Sequence, residues 1–177
     1  MIIGSTREGR MGGRVGRWFV ERAGEREDMA VTAVDLADFD FPGSYPAAAT
    51  AAMRLFARRV DEAEAFVVVT PEYNHSFPAS LKQAIDYAYD EWRAKPVGFV
   101  SYGCRSTGMH AVDQLRTVFT ALHAVTVSGV VALDLLCGGP APAAEDQLRR
   151  DATVMLDQLG WWGLTLRDGR AARPYTC

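Results

Sequence analysis

A six-residue run, AFVVVT at residues 65–70, is apolar at successive positions instead of alternating with polar ones. Such a strand buries both of its faces, which is typical of a parallel sheet covered by helices on both sides. Four more segments have the composition of strands, at residues 1–3, 30–36, 95–103 and 124–133. Segments with helical spacing separate them. This alternation predicts an α/β fold with a doubly wound, five-stranded parallel sheet.

The helical segments are predicted from apolar residues spaced three and four positions apart. The clearest series runs from Leu81 to Trp92, behind a predicted N-cap at Ser76. Its apolar stripe suits either a buried core helix or a contact between subunits. We expect the last helix to end near Gly160 and the tail from Gly163 to pack poorly. No linker or repeat interrupts the chain, so we predict one domain spanning residues 1–177.

Composition excludes several classes of function. The formal net charge is −3 and the isoelectric point is near 5.6, which argues against nucleic acid and membrane surfaces as partners. No apolar stretch approaches the roughly 18 residues that span a bilayer, and no leader is visible. Three dispersed cysteines form neither a disulfide framework nor a zinc motif. We therefore expect a cytoplasmic protein without a metal.

Ligands of doubly wound sheets bind beyond the carboxyl ends of the strands. With the strand order 2-1-3-4-5, strands 1, 3 and 4 are neighbours. Their carboxyl ends carry the loops GSTREGRMGG, PEYNHS and SYGCRSTG, at residues 4–13, 71–76 and 101–108. We therefore predict that these three loops converge on one ligand site.

The first of these loops has the composition of a phosphate site. Its glycines allow close approach of the backbone, while Ser5, Thr6, Arg7 and Arg10 offer hydroxyls and guanidinium groups. No Lys-Ser/Thr pair follows the glycines and the spacing G-x-G-x-x-G is absent. A monophosphate therefore fits this loop better than a nucleoside triphosphate or an ordinary dinucleotide.

The second loop presents several polar groups without an obvious nucleophile. Glu72 is a candidate general base, a ligand-orienting acceptor or a charge at a helix start. Tyr73 and Asn74 suit shape and hydrogen bonding, and His75 is a substrate-side candidate. We expect His110 and His123 to be surface or packing residues. No Ser/His/Asp triad is recognisable.

Three stretches together resemble a known family. IIGSTREGRMGGRVGRW, VVVTPEYNHSFPASLKQAIDYAYDEWRAKPVGFVSYG and AVDQLR are similar to the NADPH-dependent FMN reductases, which have the flavodoxin-like fold. The most specific part is PEYNHSFPASLKQAID. The resemblance covers most of residues 2 to 122 and implies FMN and NADPH as cofactors. Family members reduce azo dyes, quinones and chromate.

The resemblance also implies roles for residues of each loop. The positions expected to hold the FMN phosphate are Ser5, Arg7, Arg10 and Gly12. Those expected to border the isoalloxazine ring are Pro71, Glu72, Tyr73, Asn74, Ser101, Tyr102 and Gly103. No catalytic side chain is expected, because the cofactor carries the chemistry.

The resemblance further implies that hydride passes from NADPH to FMN and on to free flavin, a quinone, an azo or a nitro compound. The implied partners are this small-molecule acceptor, a monooxygenase that receives reduced flavin, and further copies of the chain in a dimer or tetramer.

The third loop departs from the family pattern. A glycine-dense run is expected after SYG, but Cys104, Arg105, Ser106 and Thr107 precede Gly108. Cys104 and Arg105 are therefore substrate-side candidates, and the added bulk predicts an altered pocket. This departure supports an alternative function, a flavodoxin-like binding or specialised biosynthetic protein with reduced or lost flavin reductase activity.

Overall fold

A computed structural model describes residues 1–134 and 142–176 of the chain. The strands are β1 (Ile2–Ile3), β2 (Val34–Asp35), β3 (Phe66–Pro71), β4 (Pro96–Gly103) and β5 (Val125–Asp134). The helices are α1 (Gly12–Ala23), α2 (Ala51–Asp61), α3 (Ala79–Asp86), α4 (Met109–Ala121) and α5 (Pro142–Ala172). Short 3₁₀ turns lie at Leu36–Asp38 and Asp90–Trp92. Cys137 and Cys177, used above to infer a reducing compartment, lie outside the described residues.

The five strands form one parallel sheet in the order β2-β1-β3-β4-β5. Every residue of β3 is buried, as its lack of alternation predicts. The predicted fold class and strand order are thus confirmed. The order reverses between β1 and β3, so the loops after these strands diverge to opposite faces and leave a crevice between them.

Each face of the sheet carries its own apolar core. Phe56 of α2, Ile85 of α3 and Phe119 of α4 are fully buried on one face. Phe19 of α1 and Met155 of α5 are fully buried on the other. Helices on both faces are what a doubly wound sheet requires.

The helix after β3 is shorter than its apolar series suggested. It begins after Pro78 rather than Ser76, and it ends at Asp86. Trp92 lies in the 3₁₀ turn, and its indole N–H donates to the carbonyl of Ile85 at 3.1 Å. Leu81, Ile85 and Trp92 are all fully buried, so these positions of the stripe belong to the core, whereas Tyr89 is exposed.

The expected end of the last helix was wrong. The helix α5 continues through Gly160 and Gly163 to Ala172. A Cβ atom at Gly160 would have Met29 as its nearest neighbour at 3.7 Å, and one at Gly163 would have Ala65 at 3.7 Å. Both glycines are therefore interior positions that face the body of the protein, and they do not end the helix.

Within the described parts of the chain, no helix is both long enough and apolar enough to cross a bilayer.

Candidate functional site

The three predicted loops meet at the carboxyl edge of the sheet. The backbone N–H of Glu72, just after β3, donates to the carbonyl of Tyr102 in β4 at 3.2 Å. The phenol of Tyr102 in turn donates to the Ser5 hydroxyl, which follows β1, at 3.1 Å. Parallel strands bring these residues together although Ser5 and Tyr102 are 97 positions apart. The convergence expected from the strand order is therefore present.

Ser5 lies at the bottom of the first loop and is fully buried. A Cβ atom on Gly12, the first residue of α1, would lie 2.2 Å from the Ser5 Oγ atom. Glycine at this position is what allows α1 to begin against Ser5, with its free amino-terminal amides at the mouth of the loop. Burial raises the pKa of Tyr102 to about 12, so its phenol remains a donor to Ser5 at neutral pH.

The two arginines of the first loop have different surroundings. The Arg10 guanidinium donates to the Ser5 carbonyl at 2.9 Å and forms an ion pair with Asp35 at 2.6 Å. Hydrogen bonding to Asp35 raises the pKa of Arg10. Arg7 is exposed, and its guanidinium lies 5.6 Å from the centre of the Tyr73 ring. The structure thus ties Arg10 to the loop backbone and leaves Arg7 at the surface, above the second loop.

The second loop is a tight turn. Tyr73 and Ser76 exchange backbone hydrogen bonds of 2.8 and 3.0 Å, with Asn74 and His75 between them. Both central residues have positive φ angles, 51° and 62°, as in a type I′ turn. Pro71, which precedes the turn, is buried at the end of β3 and pairs with Tyr102.

Glu72 binds the start of α4. Its Oε2 atom accepts the backbone N–H of His110 at 3.1 Å, and its Oε1 atom lies 2.9 Å from His110 Nδ1. Burial opposes ionisation, but hydrogen bonding by His110 and Ser106 prevails, so the pKa of Glu72 is lowered. Of the three roles considered for Glu72, this contact favours a charge at a helix start. The helix is α4, which follows β4, and not α3, which follows the loop itself.

Gln114 and His110, neither of which was predicted as a site residue, complete this contact. The Gln114 side chain donates to the His75 carbonyl at 2.8 Å and accepts the Ser76 hydroxyl at 2.6 Å. The His110 ring stacks on the His75 ring, with centroids 4.2 Å apart. His110 is exposed, as expected, and it contacts Glu72 and His75, two of the predicted site residues. The signal available in the sequence was the predicted adjacency of strands 3 and 4. It brings Glu72, which follows strand 3, close to the helix that follows strand 4.

The third loop holds backbone conformations that suit glycine. Arg105 and Thr107 have φ angles of 61° and 54°, and Gly108 has 90°. The Ser101 hydroxyl donates to the Thr107 carbonyl at 2.9 Å, which fixes the loop to β4. Cys104 and Arg105 are exposed at the tip. Thr107 and Arg105 thus occupy positions where the related proteins are expected to carry glycine, because L side chains are disfavoured there.

A cavity of about 690 Å³ lies away from these loops, at the amino edge of the sheet. Met29, Ala63, Phe66, Leu156 and Leu164 are among its lining residues. The residues predicted from the sequence to bind the ligand do not line this cavity; they lie at the open carboxyl edge, where hydroxyl, guanidinium and amide groups converge.

The parallel strand order β2-β1-β3-β4-β5, with helices on both faces of the sheet, defines a protein with the flavodoxin-like fold. The sequence profile of the NADPH-dependent FMN reductases matches residues 1–135. The chain therefore belongs to the NADPH-dependent FMN reductase family, which confirms the resemblance.

Individual relatives agree with this assignment. An NAD(P)H-dependent FMN reductase of Schizosaccharomyces pombe is 32% identical over 127 residues, which are 67% of this chain and 63% of that protein. The match thus spans less than two thirds of the length of this relative. A quinone reductase of Pseudomonas putida is 30% identical over 164 residues, which are 82% of this chain and 80% of that protein.

A solved structure with the same fold is FerB, a flavoenzyme NAD(P)H:(acceptor) oxidoreductase of Paracoccus denitrificans. It superposes with a TM-score of 0.74 at 21% identity, covering 93% of this chain and 95% of that one. At this identity the likeness supports the fold alone.

Proposed function

We propose that the protein is an FMN-dependent NAD(P)H oxidoreductase that passes electrons to a small-molecule acceptor. The observation that carries this proposal is the first loop, where Gly12 allows the start of α1 to approach the buried Ser5 hydroxyl. Free amides at a helix start and a hydroxyl are the groups that bind a phosphate monoester. FMN carries such a phosphate, and family membership supports this cofactor.

Each loop has a separate task in this proposal. Ser5, Arg7 and the amides near Gly12 hold the phosphate, while Arg10 keeps the loop in place through Asp35. Pro71 to Asn74 and Ser101 to Gly103 border the flavin ring, and their mutual hydrogen bonds keep the two walls at a fixed separation.

When bound, FMN would supply hydride transfer between a nicotinamide cofactor and the acceptor. The protein has to bind the reactants, orient them and keep the walls of the site rigid. Glu72, Gln114 and Ser101 serve this last purpose, because each ties one loop to a neighbouring element. No side chain is assigned as a nucleophile or a general base.

The acceptors that this site suits are quinones, azo or nitro compounds and free flavin. The names of family relatives include quinone reductase, which supports the first of these. If free flavin is the acceptor, a monooxygenase that uses reduced flavin is the corresponding partner. We further propose a cytoplasmic dimer or tetramer, for which light scattering coupled to size-exclusion chromatography is the test.

The alternative, a binding or biosynthetic protein without reductase activity, rested on residues 104–107. The family profile matches residues 1–135, a range that includes these four residues, and this favours the reductase. Cys104 and Arg105 are exposed at the loop tip, whereas Pro71 and Tyr102, at the ends of β3 and β4, are buried. The third loop therefore supports a difference in acceptor choice more than a loss of activity.

The test combines FMN titration with steady-state oxidation of NADPH and NADH, using benzoquinone and an azo dye as acceptors. Gly12→Ala is expected to weaken FMN binding at least about tenfold, because its Cβ would displace Ser5. Gly13→Ala is the matched control, since its Cβ would meet only Arg17 at 3.7 Å. Wild-type protein that binds no FMN and oxidises neither nucleotide would refute the proposal.

A further inference from the structure

Two of the three histidines of the chain lie beside the same carboxylate. Glu72, His75 and His110 each offer a metal-ligand atom, and these atoms lie within 4.8 Å of one another. The His75 and His110 rings are exposed and nearly parallel, with an angle of 23° between their planes. Glu72 is the inner member of the group, with only 11% of its side chain exposed.

The backbone around the cluster is fixed from both sides. His75 occupies the type I′ turn at a φ of 62°, and Gln114 of α4 holds its carbonyl. His110 lies in the first turn of α4, where Glu72 accepts its backbone N–H. The two imidazoles are therefore brought together by the junction of the second loop with α4.

The donor set matches a known type of metal site. Two imidazoles and one carboxylate bind zinc in enzymes, with the remaining position open to water or another ligand. Imidazole also suits copper and nickel, whereas magnesium and calcium prefer sites built from oxygen ligands alone.

The geometry needs only small adjustments to enclose an ion. Bonds of about 2.0–2.1 Å in a tetrahedron place ligand atoms roughly 3.3 Å from one another. Exposed histidine side chains reach such a separation by rotation about their side-chain bonds, while the backbone stays in place.

We infer that Glu72, His75 and His110 form a binding site for one divalent transition-metal ion of the zinc, copper or nickel class. The site lies where the second loop meets α4, at the rim of the proposed flavin crevice. A bound ion would join the second loop to α4 and oppose movement of this loop away from the helix. The inference is independent of the proposed oxidoreductase function, because it requires neither flavin nor turnover.

The experiment is calorimetric titration of flavin-free protein with Zn²⁺ alone. Wild-type protein is expected to bind one equivalent with micromolar affinity. His75→Ala and His110→Gln are each expected to weaken binding at least about tenfold. His110→Gln retains a side-chain amide that can donate to Glu72, so it removes the ligand while preserving this contact. Melting curves recorded with EDTA present would establish that both variants are folded.

His123→Ala is the matched control, because His123 contacts Tyr175 and is not in the cluster. This variant should bind Zn²⁺ as the wild type does. In NMR spectra, the ring signals of His75 and His110 should shift on saturation while those of His123 stay in place. The inference is overturned if wild-type protein shows no saturable binding. It is equally overturned if the double variant His75→Ala/His110→Gln retains full affinity, or if His123→Ala loses as much as the cluster variants.

Discussion

Thr107 holds a left-handed backbone conformation although its side chain is β-branched. Its φ angle is 54°, and Arg105, two positions earlier, also has a positive φ angle, 61°. A left-handed conformation costs an L residue about 1–2 kcal/mol, and glycine avoids this cost at an entropic expense of about 0.5–1 kcal/mol. The loop at residues 104–107 therefore contains strain that glycines would relieve.

We predict that Thr107→Gly raises the free energy of unfolding by roughly 0.5–1 kcal/mol. For a chain of this size, the melting temperature should rise by about 2 °C. Thr107→Ala retains a Cβ atom in the left-handed conformation and should therefore gain less. Urea denaturation of the three proteins measures the difference. A Thr107→Gly variant less stable than wild type would show that the side chain makes contacts worth more than the strain.

The contact between Glu72 and α4 should give stability a specific dependence on pH. The pKa of Glu72 is lower in the folded protein than its ordinary value, so the unfolded chain takes up this proton first as the pH falls. Glu72 therefore stabilises the fold fully above its unfolded pKa. This contribution is lost as the pH falls below about 4 and through the folded value.

Glu72→Gln tests this dependence, because glutamine still accepts the His110 N–H but carries no charge. The variant should be about 1 kcal/mol less stable than wild type at neutral pH. The difference should shrink as the pH falls below about 4. Glu21→Gln, at an exposed position of α1, should show a much smaller difference. A Glu72→Gln difference that stays constant from pH 7 to pH 3 would contradict the assigned role.

At the scale of residues, the sequence indicated local contacts better than distant ones. Ser5 and Gly12 were predicted as parts of one loop, and they touch across seven positions. The ion pair of Arg10 with Asp35 spans 25 positions, and the contact of Glu72 with His110 spans 38. Neither follows from periodicity, because each depends on how two loops meet after the sheet has formed.

Among the elements, the prediction was most accurate where burial dominates. The run at residues 65–70 became a fully buried strand because its residues are apolar on both faces. Helix ends were predicted less well, because side chains expected to cap them are used elsewhere. Ser76 donates its hydroxyl to Gln114 of α4, and the chain enters α3 only after Pro78.

The helix α5 passes through Gly160, where the sequence suggested an end. Glycine in a helix interior is about 1 kcal/mol less favourable than alanine, and a Cβ atom here would meet only Met29 at 3.7 Å. We therefore predict that Gly160→Ala raises the free energy of unfolding by about 1 kcal/mol. Thermal unfolding followed by circular dichroism provides the measurement.

Substitutions at Gly160 distinguish a helix that continues through this residue from one that ends there. If the helix ended at Gly160 in a left-handed cap, alanine would destabilise the protein. Gly160→Pro gives the reverse control, since proline in a helix interior should cost about 3 kcal/mol. Gly163→Ala should follow Gly160→Ala, because its nearest neighbours also lie at 3.7 Å or more.

At the scale of the whole molecule, the described residues place a crevice and a cavity at opposite edges of the sheet. The loops after β1, β3 and β4 form the open crevice at the carboxyl edge, while the cavity of about 690 Å³ lies at the amino edge. The strand order predicted from the sequence favours the carboxyl edge as the ligand site. The amino-edge cavity could not be predicted, because it arises from the packing of α5 against the segments around Met29 and Ala63.

Hydrogen exchange with and without FMN distinguishes the two edges. A ligand at a hundredfold excess over its Kd stabilises the folded protein by about 2.7 kcal/mol. We predict that bound FMN slows the local-opening exchange of backbone amides in residues 4–13, 71–76 and 102–108. Amides that open locally at residues 28–34 and 160–167, beside the amino-edge cavity, should keep their rates because FMN does not touch them.

Riboflavin, which lacks the phosphate, is the matched ligand for this measurement. At the same concentration it should protect residues 4–13 much less than FMN does, because Ser5 and the α1 amides then have no phosphate to bind. The Gly12→Ala variant should show the same loss of protection with FMN itself. Protection confined to residues 28–34 and 160–167 would instead place the ligand in the amino-edge cavity. In that case the polar groups at the carboxyl edge would serve only to hold the three loops together.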